Sequence, residues 1–206
     1  MFQGGTDRQQ SLRDLFDNHH RSAIQHFRFR MPKNLELKAR YPSLIEAMRY
    51  AEGIGAHRTE VLHQKDTYFL SGMVRLKLRE IRGNRSEVIA YRRPDTNSIR
   101  YSDYAVVQIP NAREVRQLFA QLFGIEVVVK KKRILYLYKN ARIHIDFVRG
   151  LGNFVEFEVL VVHGKRQAES LMNFLRKRFG IKKQSLIGGS YSDLLLGRSR
   201  RGTKHA

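Results

Sequence analysis

The chain has 206 residues, 42% of them hydrophobic, enough for one domain of medium size to bury a core and too few for two large ones. Lys and Arg outnumber Asp and Glu by 39 to 19, a net charge of +20 that points to a polyanionic partner. The lack of Cys excludes disulfides, zinc–thiolate sites and thiol nucleophiles, and no run approaches the roughly eighteen apolar residues of a membrane span, so a soluble, cytoplasmic protein is expected, either monomer or homodimer.

Residues 1–30 show little apolar periodicity beyond a short helical pattern near Ser11 to Phe27, and read as an N-terminal extension without regular structure. Its arginines resemble those of a presequence, but Asp7, Asp14 and Asp17 count against one. A domain over 31–196 follows, then a basic tail over 197–206.

From Asn34 the pattern alternates strictly, with Glu36, Lys38 and Arg40 on one face of a strand and Leu35, Leu37 and Ala39 on the other. Pro42 opens a predicted helix that runs to about Gly53, with Leu44, Ile45, Met48 and Tyr50 as its apolar side. Strands are predicted near 58–70, over Val74 to Glu80 and over Ser86 to Arg93, the last pair joined by a Gly83-Asn84 turn. Pro94-Asp95 leads to a strand over Ile99 to Gln108. A helix over Ala112 to Phe123 ends at Gly124. Further strands are predicted near Glu126 to Arg133, Ile134 to Tyr138, Arg142 to Val148 and Asn153 to Val162, before a helix over Lys165 to Phe179 closed by Gly180. The outline is a mainly antiparallel α+β sheet.

Gathered from the alternating strands, the polar faces hold Glu36, Lys38 and Arg40; Arg75, Lys77 and Arg79; Arg93; Lys131 and Arg133; Arg142, His144 and Asp146; and Glu156 and Glu158. An ordinary solvated face mixes both signs with Ser, Thr and Gln, because like charges opposite one another are destabilising. Cations at i, i+2 and i+4 require an anion. Asp146, Glu156 and Glu158, on neighbouring strands, form an oxygen-rich site for a hard cation such as Mg²⁺ or Mn²⁺. Arginine forks, lysine charges and a divalent ion together suit phosphate chemistry.

The segment Asn34-Leu35-Glu36-Leu37-Lys38 resembles the E-x-E-x-K signature of the CYTH superfamily, the triphosphate tunnel metalloenzymes. The resemblance continues through Asp66-Thr67-Tyr68-Phe69, Arg75-Leu76-Lys77-Leu78-Arg79-Glu80, Tyr91-Arg92-Arg93-Pro94, Ser102-Asp103-Tyr104, Val129-Lys130-Lys131-Lys132-Arg133 and His144-Ile145-Asp146. It ends with Phe154-Val155-Glu156-Phe157-Glu158 and Ser190-Tyr191-Ser192-Asp193. The pattern is most similar to the class IV adenylate cyclase-like branch, related to thiamine triphosphatase.

The resemblance implies an eight-stranded antiparallel closed β-barrel, a triphosphate tunnel, with helices packed outside. It implies Glu36, Asp146, Glu156 and Glu158 as metal ligands for Mg²⁺ or Mn²⁺. Lys38, Arg40, Arg75, Lys77, Arg79, Arg93, Lys131 and Arg133 are implied as phosphate contacts. Position along the strands adds Arg100, two before Ser102, at the tunnel mouth, and His144, on the face of Asp146, as a proton shuttle or alternatively a hydrogen-bonded structural group; Glu36, Lys38 and His144 are the expected catalytic residues. Asn34 stands where the signature has its first Glu, removing one charge from the metal site.

The expected activity is metal-dependent hydrolysis of tripolyphosphate or a small organic triphosphate. The alternatives are an adenylate cyclase, releasing pyrophosphate from ATP, and a non-enzymatic polyanion-binding module. Nucleic acid is not the expected partner, because Glu156 and Glu158 beside Asp146 repel phosphate unless a metal offsets them.

Overall fold

The computed structural model describes residues 34–202 apart from Met73, Asn84, 93–99 and His163, with backbone alone at 92, 100–104 and 199–202. Eight strands run in chain order: β1 (Asn34–Arg40), β2 (His57–Phe69), β3 (Arg75–Ile81), β4 (Ser86–Arg92), β5 (Arg100–Ile109), β6 (Ile125–Tyr138), β7 (Ala141–Val148) and β8 (Gly152–Leu160). Four α-helices accompany them: α1 (Leu44–Gly53), α2 (Ala112–Phe123), α3 (Lys165–Arg178) and α4 (Tyr191–Gly202).

All strand pairings are antiparallel, in the order β1-β5-β4-β3-β2-β6-β7-β8. β1 pairs along its whole length with β8, while only Asn34, Leu35 and Glu36 also pair with β5. The ladder thus meets itself through a seam of three residue pairs, and among the described residues Leu37 to Arg40 have no β5 partner. The result is a curled eight-stranded sheet, a half-barrel, so the expected fully closed wall is met only in part.

Two expectations change along the chain. The segments 126–133 and 134–138 form one strand, β6, because Arg133 and Ile134 pair in unbroken register with Asp146 and Ile145. In α1 the buried positions are Ala47 and Ala51, whereas Ile45 and Tyr50 are exposed. The contact stripe is therefore Leu44, Ala47, Met48 and Ala51, the i, i+3, i+4, i+7 spacing, and its alanines let the helix lie close on the sheet. Ser43 caps α1 by accepting from the Glu46 N–H at 3.3 Å.

The main core lies outside the curl. Leu35, Leu37, Ile143, Ile145, Val155, Phe157 and Val159 meet Ala47 and Ala51 of α1 and Ala168, Met172 and Leu175 of α3. Fully burying each large side chain contributes about 1.5–3 kcal/mol. This packing fixes which strand residues point inward, since a one-residue slip would turn every apolar side chain off the helices. α2 covers a different part of the outer face, over β2 and β3, with Phe119 edge-on to Phe69 at 5.4 Å between ring centroids. Gly124 ends α2 at φ 77°, a left-handed conformation that side chains disfavour.

A second apolar cluster lies at one end of the concave face, where Tyr191 of α4 packs with Phe154, Val148, Leu151 and Val129, and Leu194 and Leu195 support it.

Candidate active site

The inward residues of β1, β2, β3, β4, β6, β7 and β8 surround a polar cavity of about 260 Å³. Two walls face one another across it, and they are built differently.

On the first wall the β1–β8 register sets Glu36 opposite Glu158 and Lys38 opposite Glu156, while the β7–β8 register sets Arg142 opposite Glu158 and His144 opposite Glu156. Lys38 Nζ lies 2.8 Å from Glu156 Oε1 and 4.1 Å from the Tyr191 ring centroid. Arg142 Nη2 is 2.8 Å from Glu158 Oε2. His144 Nδ1 lies 3.6 Å from both Glu156 Oε2 and Glu158 Oε1, beyond hydrogen-bond distance, and is buried without a partner. Ligand atoms of His144, Glu156 and Glu158 fall within 4.8 Å of one another.

Burial raises the Glu156 carboxyl, but Lys38, the His144 side chain and Arg133 outweigh it and hold the group well below the usual carboxylate range. Burial likewise raises Glu158, and His144 and Arg142 carry it below its ordinary value. His144 is pushed down by burial and then by Arg133, which favours its neutral form. Ionised carboxylates around a neutral imidazole, with a buried amide oxygen of Asn34 also lacking a partner, form an O/N donor set that fits Mg²⁺ or Mn²⁺.

The second wall is centred on Asp66 of β2. Arg79 donates to it twice, Nε to Oδ1 at 2.8 Å and Nη2 to Oδ2 at 3.0 Å. Lys77 Nζ donates at 3.2 Å and Lys131 Nζ at 3.4 Å. Burial alone would raise the Asp66 carboxyl; Arg79, Lys131 and Lys77 instead hold it well below the carboxylate range. Lys131 is driven the other way, to about 7, by burial first and then by the Arg133 charge. Lys77 also lies 5.4 Å from the Tyr68 ring centroid and 5.7 Å from that of Tyr91.

Between the walls Arg133 bridges them. Its Nε and Nη2 reach the two Asp146 oxygens at 2.7 and 2.6 Å, and Nη2 also reaches Glu156 Oε2 at 2.8 Å. Tyr191 donates its hydroxyl to Asp146 Oδ2 at 2.8 Å. Burial and then Asp146 raise the Tyr191 phenol well above its ordinary value, so it remains a donor.

Of the residues predicted from sequence, Glu36, Lys38, Lys77, Arg79, Lys131, Arg133, Glu156 and Glu158 line this cavity. His144 lies behind Glu156 and Glu158. Asp146 does not line the cavity: it is fully buried, with both oxygens taken by Arg133 and Tyr191, so it supports the arginine from behind. Arg40 ends β1 beyond the cavity, donates to the Leu151 carbonyl at 3.1 Å and sits 5.1 Å from the Phe154 ring centroid. Arg75 is held at the α4 end by Ser190 Oγ at 3.0 Å and Asp193 Oδ1 at 2.7 Å. Arg93 lies outside the described residues, and of Arg100 only the backbone is described, opposite Glu36.

Sequence reasoning did not single out Asp66, Tyr191, Arg85 or Glu87 as site residues. Asp66 is on the same strand face as Leu62, Gln64 and Tyr68, and its value lies in cations delivered by β3 and β6, which alternation within β2 does not reveal. Tyr191 arrives from a helix at the end of the sheet, where no strand parity applies.

A model of the CYTH domain matches residues 32–191 of this chain. A protein of Methanocaldococcus jannaschii named as a candidate adenylate cyclase is 26% identical over 172 residues, 78% of this chain and 97% of that protein. Among solved structures, a Pyrococcus horikoshii protein is 24% identical, with TM-score 0.71 over 78% of this chain and 98% of its own. A Hippeastrum adenylyl cyclase candidate, described as revealing a dominant triphosphatase activity, is 13% identical, with TM-score 0.57 over 82% of this chain and 96% of its own. These structural likenesses show a common fold, and the family match over residues 32–191 spans the whole stretch that lines the cavity: the chain belongs to the CYTH domain family.

Proposed function

We propose that the protein is a metal-dependent hydrolase of triphosphate compounds, tripolyphosphate or a small organic triphosphate, bound inside the curled sheet as in a tunnel. The observation that carries this reading is the opposition of the two walls: Lys77, Arg79 and Lys131 gathered on one side, Glu36, Glu156 and Glu158 with His144 on the other. Glu36, Glu156 and Glu158, with the Asn34 amide oxygen, would hold Mg²⁺ or Mn²⁺. Such an ion would supply positive charge to offset that of the triphosphate.

The chain's own residues do the rest. Arg79 and Arg133 present guanidinium groups already fixed by Asp66 and Asp146, so little side-chain freedom is lost when phosphate oxygens dock. Lys77 and Lys131 add point charges. A water attacking the terminal phosphorus in line forms the new P–O bond as the bond to the departing diphosphate breaks, and its proton passes by way of Glu156 or Glu158, which line the cavity, to the neutral His144 Nδ1 behind them, 3.6 Å from each.

The cyclase reading has one specific support, the name of the Methanocaldococcus relative. In that reaction the ribose 3′-hydroxyl attacks the α-phosphorus and pyrophosphate leaves. The test is to supply Mg²⁺ or Mn²⁺ with tripolyphosphate, thiamine triphosphate and ATP, measuring orthophosphate, pyrophosphate and cyclic AMP together. Orthophosphate without cyclic AMP is expected. Cyclic AMP matched by pyrophosphate would replace hydrolase by cyclase, and silence in every channel would remove both.

A further inference from the structure

The interior does not account for the charge of the chain. Its lysines and arginines stand beside Glu36, Asp66, Glu87, Asp146, Glu156 and Glu158 and are largely offset by them, so the cavity residues supply little of the net +20. α1 and α3 cover the outer face around β1, β7 and β8, and α2 packs over β2 and β3. Among the described residues nothing covers the sheet between these helices, and the window left there is a concave groove of about 720 Å³ over β3, β2, β6 and β7.

Strand register orders the side chains of this window into two rows. One row runs Arg82, His63, Lys132, Phe147: the Arg82 N–H donates to the His63 carbonyl at 3.0 Å, His63 pairs with Lys132, and Lys132 pairs with Phe147. The other runs Glu80, Lys65, Lys130, Arg149: Glu80 pairs with Lys65, Lys65 with Lys130, and the Arg149 N–H donates to the Lys130 carbonyl at 2.9 Å. Each row spans about 14 Å across four strands, and the rows lie about 7 Å apart along them.

The carboxylate in this window, Glu80, is already held by Lys65 at 3.1 Å and Arg116 at 2.6 Å. Arg82, Lys130, Lys132 and Arg149 are exposed and make no ion pair among the described residues. Phe147 is 48% exposed beside Lys132, while the residues two and four before it on the same strand face, Ile145 and Ile143, are wholly buried under helices. An unpaired cation grid fits a phosphate backbone, and an exposed aromatic ring within it gives a base a surface to stack on. An acidic peptide would use the cations but not the ring, and duplex bases are already stacked on one another.

We propose that this outer window binds single-stranded nucleic acid, a few nucleotides long at the contact, with phosphates on Lys130, Lys132, Arg82 and Arg149 and a base on Phe147. The window lies on the opposite face of the sheet from the interior cavity, and Lys131 is the one residue that lines both, so none of the groups assigned to the nucleic acid belongs to the cavity.

The test uses the full chain and a fluorescein-labelled eight-nucleotide oligouridine, read by fluorescence anisotropy from 50 to 200 mM KCl. Lys130→Glu with Lys132→Glu should weaken binding at least about tenfold and reduce the slope of log affinity against log salt by about 1.4. Phe147→Ala should weaken it about fivefold or more, and Phe147→Tyr should restore it. Circular dichroism melting curves matching the parent protein show that the variants are folded. Affinity unchanged in the double variant, or equal losses in Phe147→Ala and Phe147→Tyr, would overturn the proposal. Competition by poly-glutamate as effective as by unlabelled oligouridine would also overturn it and give the window to an acidic protein.

Discussion

The two walls of the cavity contain the same kinds of groups in opposite arrangements. On the β2–β3–β6 wall one carboxylate, Asp66, is surrounded by Arg79, Lys77 and Lys131. On the β7–β8–β1 wall the carboxylates Glu156 and Glu158 surround a buried, unpartnered imidazole nitrogen, with Lys38, Arg133 and Arg142 at the edges. The first arrangement is a cation cluster with enough negative charge to hold it together before an anion arrives. The second is an anion cluster with donor capacity to spare. A buried charge is tolerated when it is paired, and each wall leaves the capacity that the other half of a metal–triphosphate complex would use.

Removing the centre of the basic wall should have the largest effect. Asp66→Asn leaves two buried cations, Lys77 and Lys131, and the half-buried Arg79 facing one another, and should lower stability by about 3–5 kcal/mol in thermal unfolding. Added tripolyphosphate should restore part of the loss, because a ligand bound only by the folded state stabilises it. An unchanged melting temperature would mean that Asp66 does not organise the wall.

On the acidic wall, Glu156→Gln keeps the shape but removes the charge shared by Lys38 and Arg133. Turnover of triphosphate should fall by at least about 10²-fold, the scale of losing one preorganised electrostatic contact, with the far-ultraviolet circular dichroism retained. Smaller again is Arg79→Ala, expected to weaken triphosphate binding by about 1.5–3 kcal/mol in calorimetry. Arg75→Ala should change binding less, since Arg75 does not line the cavity and its guanidinium is already engaged by Ser190 at the cavity's edge and by Asp193.

Lys131 sharpens the contrast through pH. Its folded-state value of about 7 lies below the 10.5 of the unfolded chain, so between those values the unfolded chain holds more protons and stability should rise with pH. A triphosphate bound against the basic wall would raise the ammonium again. Calorimetry at pH 7.5 in buffers of different ionisation enthalpy should therefore detect proton uptake on binding, and Lys131→Met should abolish that component. The smallest change expected is in Asn34→Glu, which adds a carboxylate beside Glu36 and should tighten Mn²⁺ binding by several-fold in titration.

Much of this division was legible in the sequence because a period of two states which face a side chain occupies. Glu36 and Lys38, Lys77 and Arg79, Lys131 and Arg133, and Glu156 and Glu158 all face the cavity as their alternation requires. What alternation cannot state is which strands become neighbours and where the cavity ends. Asp66 became the centre of a wall only when β3 and β6 flanked β2. Arg40 and Arg75 have the right parity but sit past the cavity's limits, at the ends of their strands. Asp146 also faces inward, yet Tyr191 from α4 and Arg133 fill its oxygens. The α1 stripe departs from the expectation for a related reason: the small Ala47 and Ala51, rather than Ile45 and Tyr50, permit the closest approach.

The most direct test of the two-wall account is a pair of titrations, Mn²⁺ alone and tripolyphosphate alone, on Glu158→Gln and Arg79→Ala. The account predicts crossed losses: Glu158→Gln weakens Mn²⁺ and leaves tripolyphosphate nearly unchanged, while Arg79→Ala does the reverse. Both variants losing both ligands in parallel, or neither losing either, would contradict the assignment of metal to one wall and phosphate to the other.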